Sequence, residues 1–149
     1  MGIWVDADAC PVVIKDILFR AAKRTQHIVT LVANQTLSVP TSPYIKTLRV
    51  ATVPDPADQA ILDRVQREDL VITADIPLAA LVVSAGALAL SPRGVTFDRE
   101  TIGAHAAMRN FMTDLRNAGT ATGGPAILTL TDRQTFANRL DAWLARGAF

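Results

Sequence analysis

Three observations predict an α/β protein. Apolar runs of strand length alternate with helix-length segments over residues 1–92. These runs are continuous rather than alternating, the pattern of strands buried on both faces of a parallel sheet. Between them stand clusters of Pro, Gly, Asn and Ser that turn the chain. The expected architecture is a three-layer sandwich: a mostly parallel sheet of about five strands, helices on either side, and a C-terminal helical extension.

The elements follow in order. A first strand, Ile3 to Val5, leads through Asp6 and Asp8 into a helix from Pro11 to about Lys23. Pro11 suits a first helical turn, where its missing N–H would have no partner in any case. A second strand runs from Ile28 to Ala33, and the Pro- and Ser-rich loop NQTLSVPTSPY precedes a third near Leu48 to Val53. Asp55 is placed as the cap of a helix from Pro56 to about Arg67. Leu70 to Thr73 is a fourth strand, Ile76 to Ala85 a helix, and Ala87 to Leu90 a fifth strand. Residues 76–92 carry no charge and approach the length of a membrane span. Pro77, Ser84, Gly86 and Pro92 divide them instead into a buried helix and a buried strand. Beyond a loop with Ser91, Pro92 and Gly94 come a long helix from about Thr101 to Ala118, the loop GTATGGP, and a short run from Ala126 to Leu130. A last helix is opened by Thr131 with Gln134 as a capping box.

Composition bounds the answer. A chain of 149 residues fits one domain, residues 1–149, with a core over about 1–92 and C-terminal helices over about 99–146. Half the residues are hydrophobic and 19% are charged, which excludes a disordered chain. The net charge of +1 supplies no bulk field, so an anionic partner would be met by a local patch. Cys10 is the one cysteine, and it permits no internal disulfide. With His27 and His105 as the histidines, most zinc geometries lack ligands. The opening MGIWVDADAC meets a carboxylate where a signal peptide needs an apolar core. The expected location is the cytoplasm, and no membrane partner is expected.

In an open parallel sheet a ligand sits beyond the carboxyl ends of the strands, and the residues placed there are aspartates. Asp6 and Asp8 follow the first strand, Asp55 and Asp58 the third, and Thr73 and Asp75 the fourth. Carboxylates within about 4 to 6 Å of one another raise each other's pKa unless a cation intervenes. Hard oxygen ligands without His or Cys suit Mg²⁺ or Mn²⁺, so Asp6, Asp8, Asp58 and Asp75 are the candidate ligands. The same positions also suit helix starts: Asp55 as an N-cap, Asp58 in a first turn, Asp75 ahead of Pro77, and Asp8 near the first helix. Asp6 differs, because it closes a strand before any cap position is reached. Thr73 would position water or substrate, and Asn34 ends the second strand at the same edge. Arg93 in SPRG is placed to meet phosphate. Arg109 and Arg116, seven apart, share a face of the long helix, and Thr122, Gly123 and Gly124 would form either a backbone nest for an anion or a plain chain reversal.

The strings IWVDADACPVVIKDILFRAAKRTQ, LVANQTLSVP, DLVITADIPLAALVVSAGALALSPRG, TGGP and DRQTFANRLDAWL resemble the YaiI/YqxD family of uncharacterised bacterial proteins over almost the whole chain. That family is similar in turn to PIN-domain nucleases, metal-dependent α/β enzymes that hydrolyse phosphodiesters with an acidic cluster. The resemblance implies a PIN-like fold. Position by position, Asp6 resembles the first-strand aspartate, Asp58 in ADQAIL the aspartate opening a central helix, and Asp75 in TADIPLA the late carboxylate that follows a strand-end Thr. PIN enzymes usually add an acid between the second strand and the central helices. Residues 34–54 contain neither Asp nor Glu, so either Asp8 or Asp55 would take that place or the site would be catalytically incomplete. The implied activity is Mg²⁺- or Mn²⁺-assisted hydrolysis of RNA, DNA or a small phosphodiester, with Asp6, Asp58, Asp75 and Thr73 at the centre.

Rival chemistries are weaker matches. Asp6 and Asp8 fit the Asp-x-Asp opening of HAD phosphatases, which need a late lysine, and none follows Lys46. Cys10 ahead of a helix would suit a thiolate, but a Cys-x5-Arg phosphate loop needs Arg where Asp16 stands. Nucleotide loops of the GxxxxGK[ST] and GxGxxG types are absent. The non-enzyme alternative is a binding module for nucleic acid or protein that keeps the scaffold and uses its carboxylates as caps. A homodimer through the long helix is one arrangement open to either.

Overall fold

The computed structural model describes residues 1–51, 56–107 and 127–149. Along the chain run β1 (Ile3–Asp6), a 3-10 turn (Ala7–Ala9), α1 (Val12–Thr25), β2 (Val29–Ala33), β3 (Ile45–Arg49) and α2 (Pro56–Arg64). There follow β4 (Leu70–Ile72), α3 (Ile76–Ser84), β5 (Leu88–Leu90), β6 (Thr96–Phe97) and a final helix, α4 (Leu130–Arg146). Residues 102–107 are also helical. The expected Asp55 cap lies outside the described residues, as do most of the expected long helix and the GTATGGP loop.

The sheet has the order β3-β2-β1-β4-β5-β6. The first five strands are parallel, and β6 returns antiparallel to β5. The chain winds outward from β1 to β3, then crosses back and winds the other way from β4. The direction therefore reverses between β1 and β4, which opens a crevice beyond their carboxyl ends.

Two cores, one on each sheet face, make the three layers. On one face Ile3, Val5, Leu31 and Ile72 pack with Ile14 and Leu18 of α1 and with Phe136, Leu140 and Trp143 of α4. On the other, Val32, Val71 and Ala89 pack with Ile61 of α2 and with Leu78, Val82 and Val83 of α3. The helices explain themselves locally. Ile14, Leu18, Ala21 and Ala22 of α1 are its buried residues, spaced to fall on one face of a 3.6-residue helix. Pro11 is the residue flanking α1 rather than part of its first turn. Asp75 caps α3, its Oδ1 accepting the Leu78 N–H at 3.1 Å, with Pro77 in the first turn. Helix α3 and strand β5 occupy the uncharged stretch as expected, and no described helix is long and apolar enough to cross a membrane.

Three expectations are corrected. β3 lies at Ile45–Arg49 rather than near Leu48 to Val53. It is an edge strand whose position is set by pairing, Val29 with Ile45 through Ala33 with Arg49, so its exposed Lys46 and Thr47 gave no apolar signal. β6 makes a sixth strand where a loop was expected, because Gly94 (φ +88) turns the chain back after β5. A Cβ on Gly94 would come within 2.6 Å of Thr135 Cγ2 and 2.8 Å of the Phe136 nitrogen, so this glycine also lets α4 approach the turn. The capping box of α4 is formed by Thr129 and Asp132, not Thr131 and Gln134. Thr129 Oγ1 accepts the Asp132 N–H at 3.0 Å, and Asp132 Oδ2 accepts the Thr129 N–H at 3.0 Å. Residues 127–129 before it form no strand. Helix α4 is the expected C-terminal helix, and its three buried side chains complete one of the two cores.

Candidate acidic site at the carboxyl edge

Asp6 closes β1 at the point where the winding reverses. Side chains alternate along a strand, so Asp6 shares the face of Trp4, the face covered by α2 and α3. Thr73, directly after β4, extends the pairing by donating its N–H to the Leu90 carbonyl at 3.1 Å. Its hydroxyl donates to Asp6 Oδ2 at 3.1 Å and accepts the Asp75 N–H at 3.0 Å. One hydroxyl thus ties the ends of two neighbouring strands and the cap of α3 into a single chain of hydrogen bonds. Thr73 is 2% exposed with its only proton committed to Asp6. In this arrangement its hydroxyl positions the Asp6 carboxylate and the Asp75 backbone.

Burial pushes the Asp6 carboxyl above its ordinary range. The Thr73 hydrogen bond opposes that shift, while Asp75 and Asp8 add to it by repulsion. Three carboxylates from two segments therefore sense one another across this edge. Asp8 lies in the 3-10 turn, where its Oδ2 accepts the Asn34 N–H at 2.9 Å. That bond fastens the end of β2 to the end of β1 and brings Asn34 to the same edge through its backbone. Asp58 is half-buried in the first turn of α2, in the layer that packs on the Asp6 face. Among the described residues no group of three or more His, Cys, Asp or Glu is arranged to hold a metal ion.

Arg93 follows β5 as expected, and its Nη1 is paired with Asp132 Oδ2 at 2.6 Å. The pair joins the β5–β6 turn to the N-terminus of α4, where Asp132 is already held by Thr129, so the guanidinium is anchored beside this edge. The Thr129 N–H leads the effects that hold the Asp132 carboxyl below the usual range. Asp55, Arg109, Arg116, Thr122, Gly123 and Gly124 lie outside the described residues. Cys10 is buried, and that burial pushes its thiol up to about 12, which removes the thiolate alternative.

Sequence reasoning passed over Asp69, which is 5% exposed at the opposite edge of the sheet. It accepts N–H bonds from Gly2, the Trp4 indole and Gln66 at 2.9, 3.0 and 2.9 Å. An acid immediately preceding an apolar strand was its available signal.

Fold and site together define a doubly wound, three-layer α/β protein with paired carboxylates at its topological switch point. The family described as "Uncharacterized BCR, YaiI/YqxD family" matches residues 4–146, and the chain belongs to that family. It is 59% identical over 147 residues to a UPF0178 protein of Aeromonas hydrophila, covering 99% of this chain and 98% of the relative. It is 60% identical over 144 residues to the UPF0178 protein PC1_0756 of Pectobacterium carotovorum, covering 97% and 96%. A UPF0178 protein of Shewanella amazonensis is 59% identical over 146 residues, covering 98% of each chain. No solved structure matches the chain.

Proposed function

We propose that the protein is a metal-dependent hydrolase of phosphodiester bonds, a nuclease, acting at the carboxyl edge between β1 and β4. The observation that carries this reading is the Asp6–Thr73–Asp75 hydrogen-bonded chain at the switch point. A half-buried acid whose ionisation is opposed by burial and by two neighbouring carboxylates is the kind of group a cation would relieve. The resemblance to PIN-domain nucleases points the same way.

The donor set fits Mg²⁺ or Mn²⁺ by its chemistry. All the donors are hard oxygens, and Mg²⁺ binds through one or two carboxylates while keeping several waters. Asp6 and Asp75 would hold the ion, with Asp8 and Asp58 as further acids of the same edge. When bound, such an ion lowers the pKa of water and polarises a phosphoryl oxygen. The chain's own contribution is orientation. Thr73 fixes the Asp6 carboxylate and the Asp75 backbone, the Asp8–Asn34 bond closes the β1–β2 side, and Arg93 brings positive charge to the loop after β5. RNA or DNA is the proposed substrate and the cytoplasm the proposed location, in line with a chain whose single cysteine allows no internal disulfide.

A second reading, a binding module without catalysis, is favoured by one observation: Asp8 and Asp75 each already satisfy a backbone N–H. One experiment separates the two. Mn²⁺ is titrated calorimetrically, to low millimolar, into the wild type and Asp75→Asn, and both are assayed for cleavage of single-stranded RNA and DNA. Asn caps a helix about as well as Asp, so the variant should keep its melting temperature. Saturable Mn²⁺ binding and cleavage in the wild type alone are expected. Absence of binding in both proteins would make the acids caps and leave the binding module.

A further inference from the structure

An open pocket of about 840 Å³ lies at the end of α2 away from the acidic edge. Its floor is a consequence of register. Trp4 pairs with Thr30, and Thr30 with Lys46, across β1, β2 and β3. The three side chains therefore stand in one row on the face covered by α2 and α3. Helix α2 is nine residues long and buries Ala60 and Ile61 against the middle of that face. The helical layer stops short of the row, and Arg64 and Gln66 stand at its edge as a wall.

The pocket has a fixed aromatic surface and uncommitted positive charge. The Trp4 indole N–H donates to Asp69 at 3.0 Å, which holds the ring in one orientation. The Asp69 carboxylate is itself met by three N–H donors and is buried. Arg64 commits one N–H to the Ala60 carbonyl of its own helix, at 3.1 Å. Neither Arg64 nor Lys46 has a carboxylate partner among the described residues.

Among the described residues, the non-glycine residues with positive φ are Gln26 (φ 60) and Glu68 (φ 74). Gln26 lines this pocket, and Glu68 lies between Gln66 and Asp69, which also line it. Gln26 is the left-handed residue that ends α1, its N–H donating to the Ala22 carbonyl at 2.9 Å, so the C-terminus of α1 forms part of the rim.

The geometry points to a second binding site, for a small anionic ligand with a planar ring, of nucleoside monophosphate size. The ring would lie against Trp4, and the anionic group would meet Lys46 and Arg64. The volume falls within the range of small-molecule pockets, and charge-assisted bonds to Lys and Arg are the strong ones for phosphate. A free mononucleotide and the terminal nucleotide of a nucleic acid share this chemistry. The site is independent of the acidic edge, from which α2 separates it by roughly 13 Å of helix at 1.5 Å per residue.

The test uses Trp fluorescence, to which Trp4 contributes beside the fully buried Trp143. The full chain is titrated with adenosine 5′-monophosphate, adenosine, and a 5′-phosphorylated trinucleotide. Saturable quenching by the monophosphate is expected, weakened roughly tenfold or more when the phosphate is missing or in Lys46→Gln and Arg64→Gln. It should be unchanged in Asp75→Asn. Stronger quenching by the trinucleotide would assign the site to a nucleic-acid end, and equal quenching to a free nucleotide. No saturable response at millimolar monophosphate, or an undiminished response in both cation variants, overturns the proposal. So does loss in Asp75→Asn, which would move the binding to the acidic edge. Because the cation variants leave the aspartates intact, Mn²⁺ binding by Lys46→Gln reports separately on the hydrolase reading.

Discussion

At the scale of single residues, Asp6 shows what this site costs the fold. Its carboxyl is raised from an ordinary value of 3.8, first by burial and then by Asp75 and Asp8. Between that value and the raised one, the folded protein binds more protons than the unfolded chain. Stability therefore falls as pH rises through that window, and stays lower above it. Asp6→Asn keeps an oxygen to accept the Thr73 hydroxyl and removes the charge. The variant should be more stable than the wild type at pH 7, with the gain shrinking at acid pH where Asp6 is protonated in both states. Urea midpoints at the two pH values measure this, and a variant less stable than the wild type at pH 7 would show that the charge is already compensated. Cys10 is the contrasting residue. It stands beside the same turn, yet burial keeps it a neutral packing group.

Elements were legible where local rules and packing agree. The continuous apolar runs of β1, β2, β4 and β5 identify strands buried on both faces, and Asp75 with Pro77 marks the start of α3. They were misplaced where a rule had two solutions or a neighbour made the choice. Thr131 with Gln134 and Thr129 with Asp132 both satisfy capping-box spacing in type. Arg93, 39 positions away, meets Asp132, and that tertiary contact selects the second. Thr129→Ala should lower stability by about 1 kcal/mol, whereas Thr131→Ala should stay within about 0.5 kcal/mol of the wild type. Denaturant unfolding of the two variants checks the order, and the reverse ranking would return the cap to Thr131. β3 and β6 were less visible for a related reason, since an edge strand and a two-residue strand are defined by their partners.

The whole molecule depends on α4 more than a C-terminal extension would suggest. Phe136, Leu140 and Trp143 are each at most 1% exposed and belong to the same core as α1 and the sheet. Burying three such side chains contributes roughly 5–9 kcal/mol, comparable with the entire stability of a domain this size, about 5–15 kcal/mol. The Arg24–Asp141 pair between α1 and α4 is exposed on both sides and adds little. A chain ending at Thr129 should lose cooperative thermal unfolding and its near-ultraviolet circular dichroism. A retained sharp transition would show that residues 1–129 form the domain by themselves.

The sequence by itself determined the α/β class, the parallel sheet, most helix and strand identities, and the gathering of aspartates at one edge. All of these follow from short-range hydrophobic period, turn residues and the polarity of a parallel sheet. Tertiary structure alone decided the Asp6–Thr73–Asp75 bonding, the pairing of Arg93 with Asp132, and the row of Trp4, Thr30 and Lys46. Each joins residues far apart in the chain through strand order and register. A one-residue slip in register would turn a whole strand over, and no local stretch of sequence records that choice.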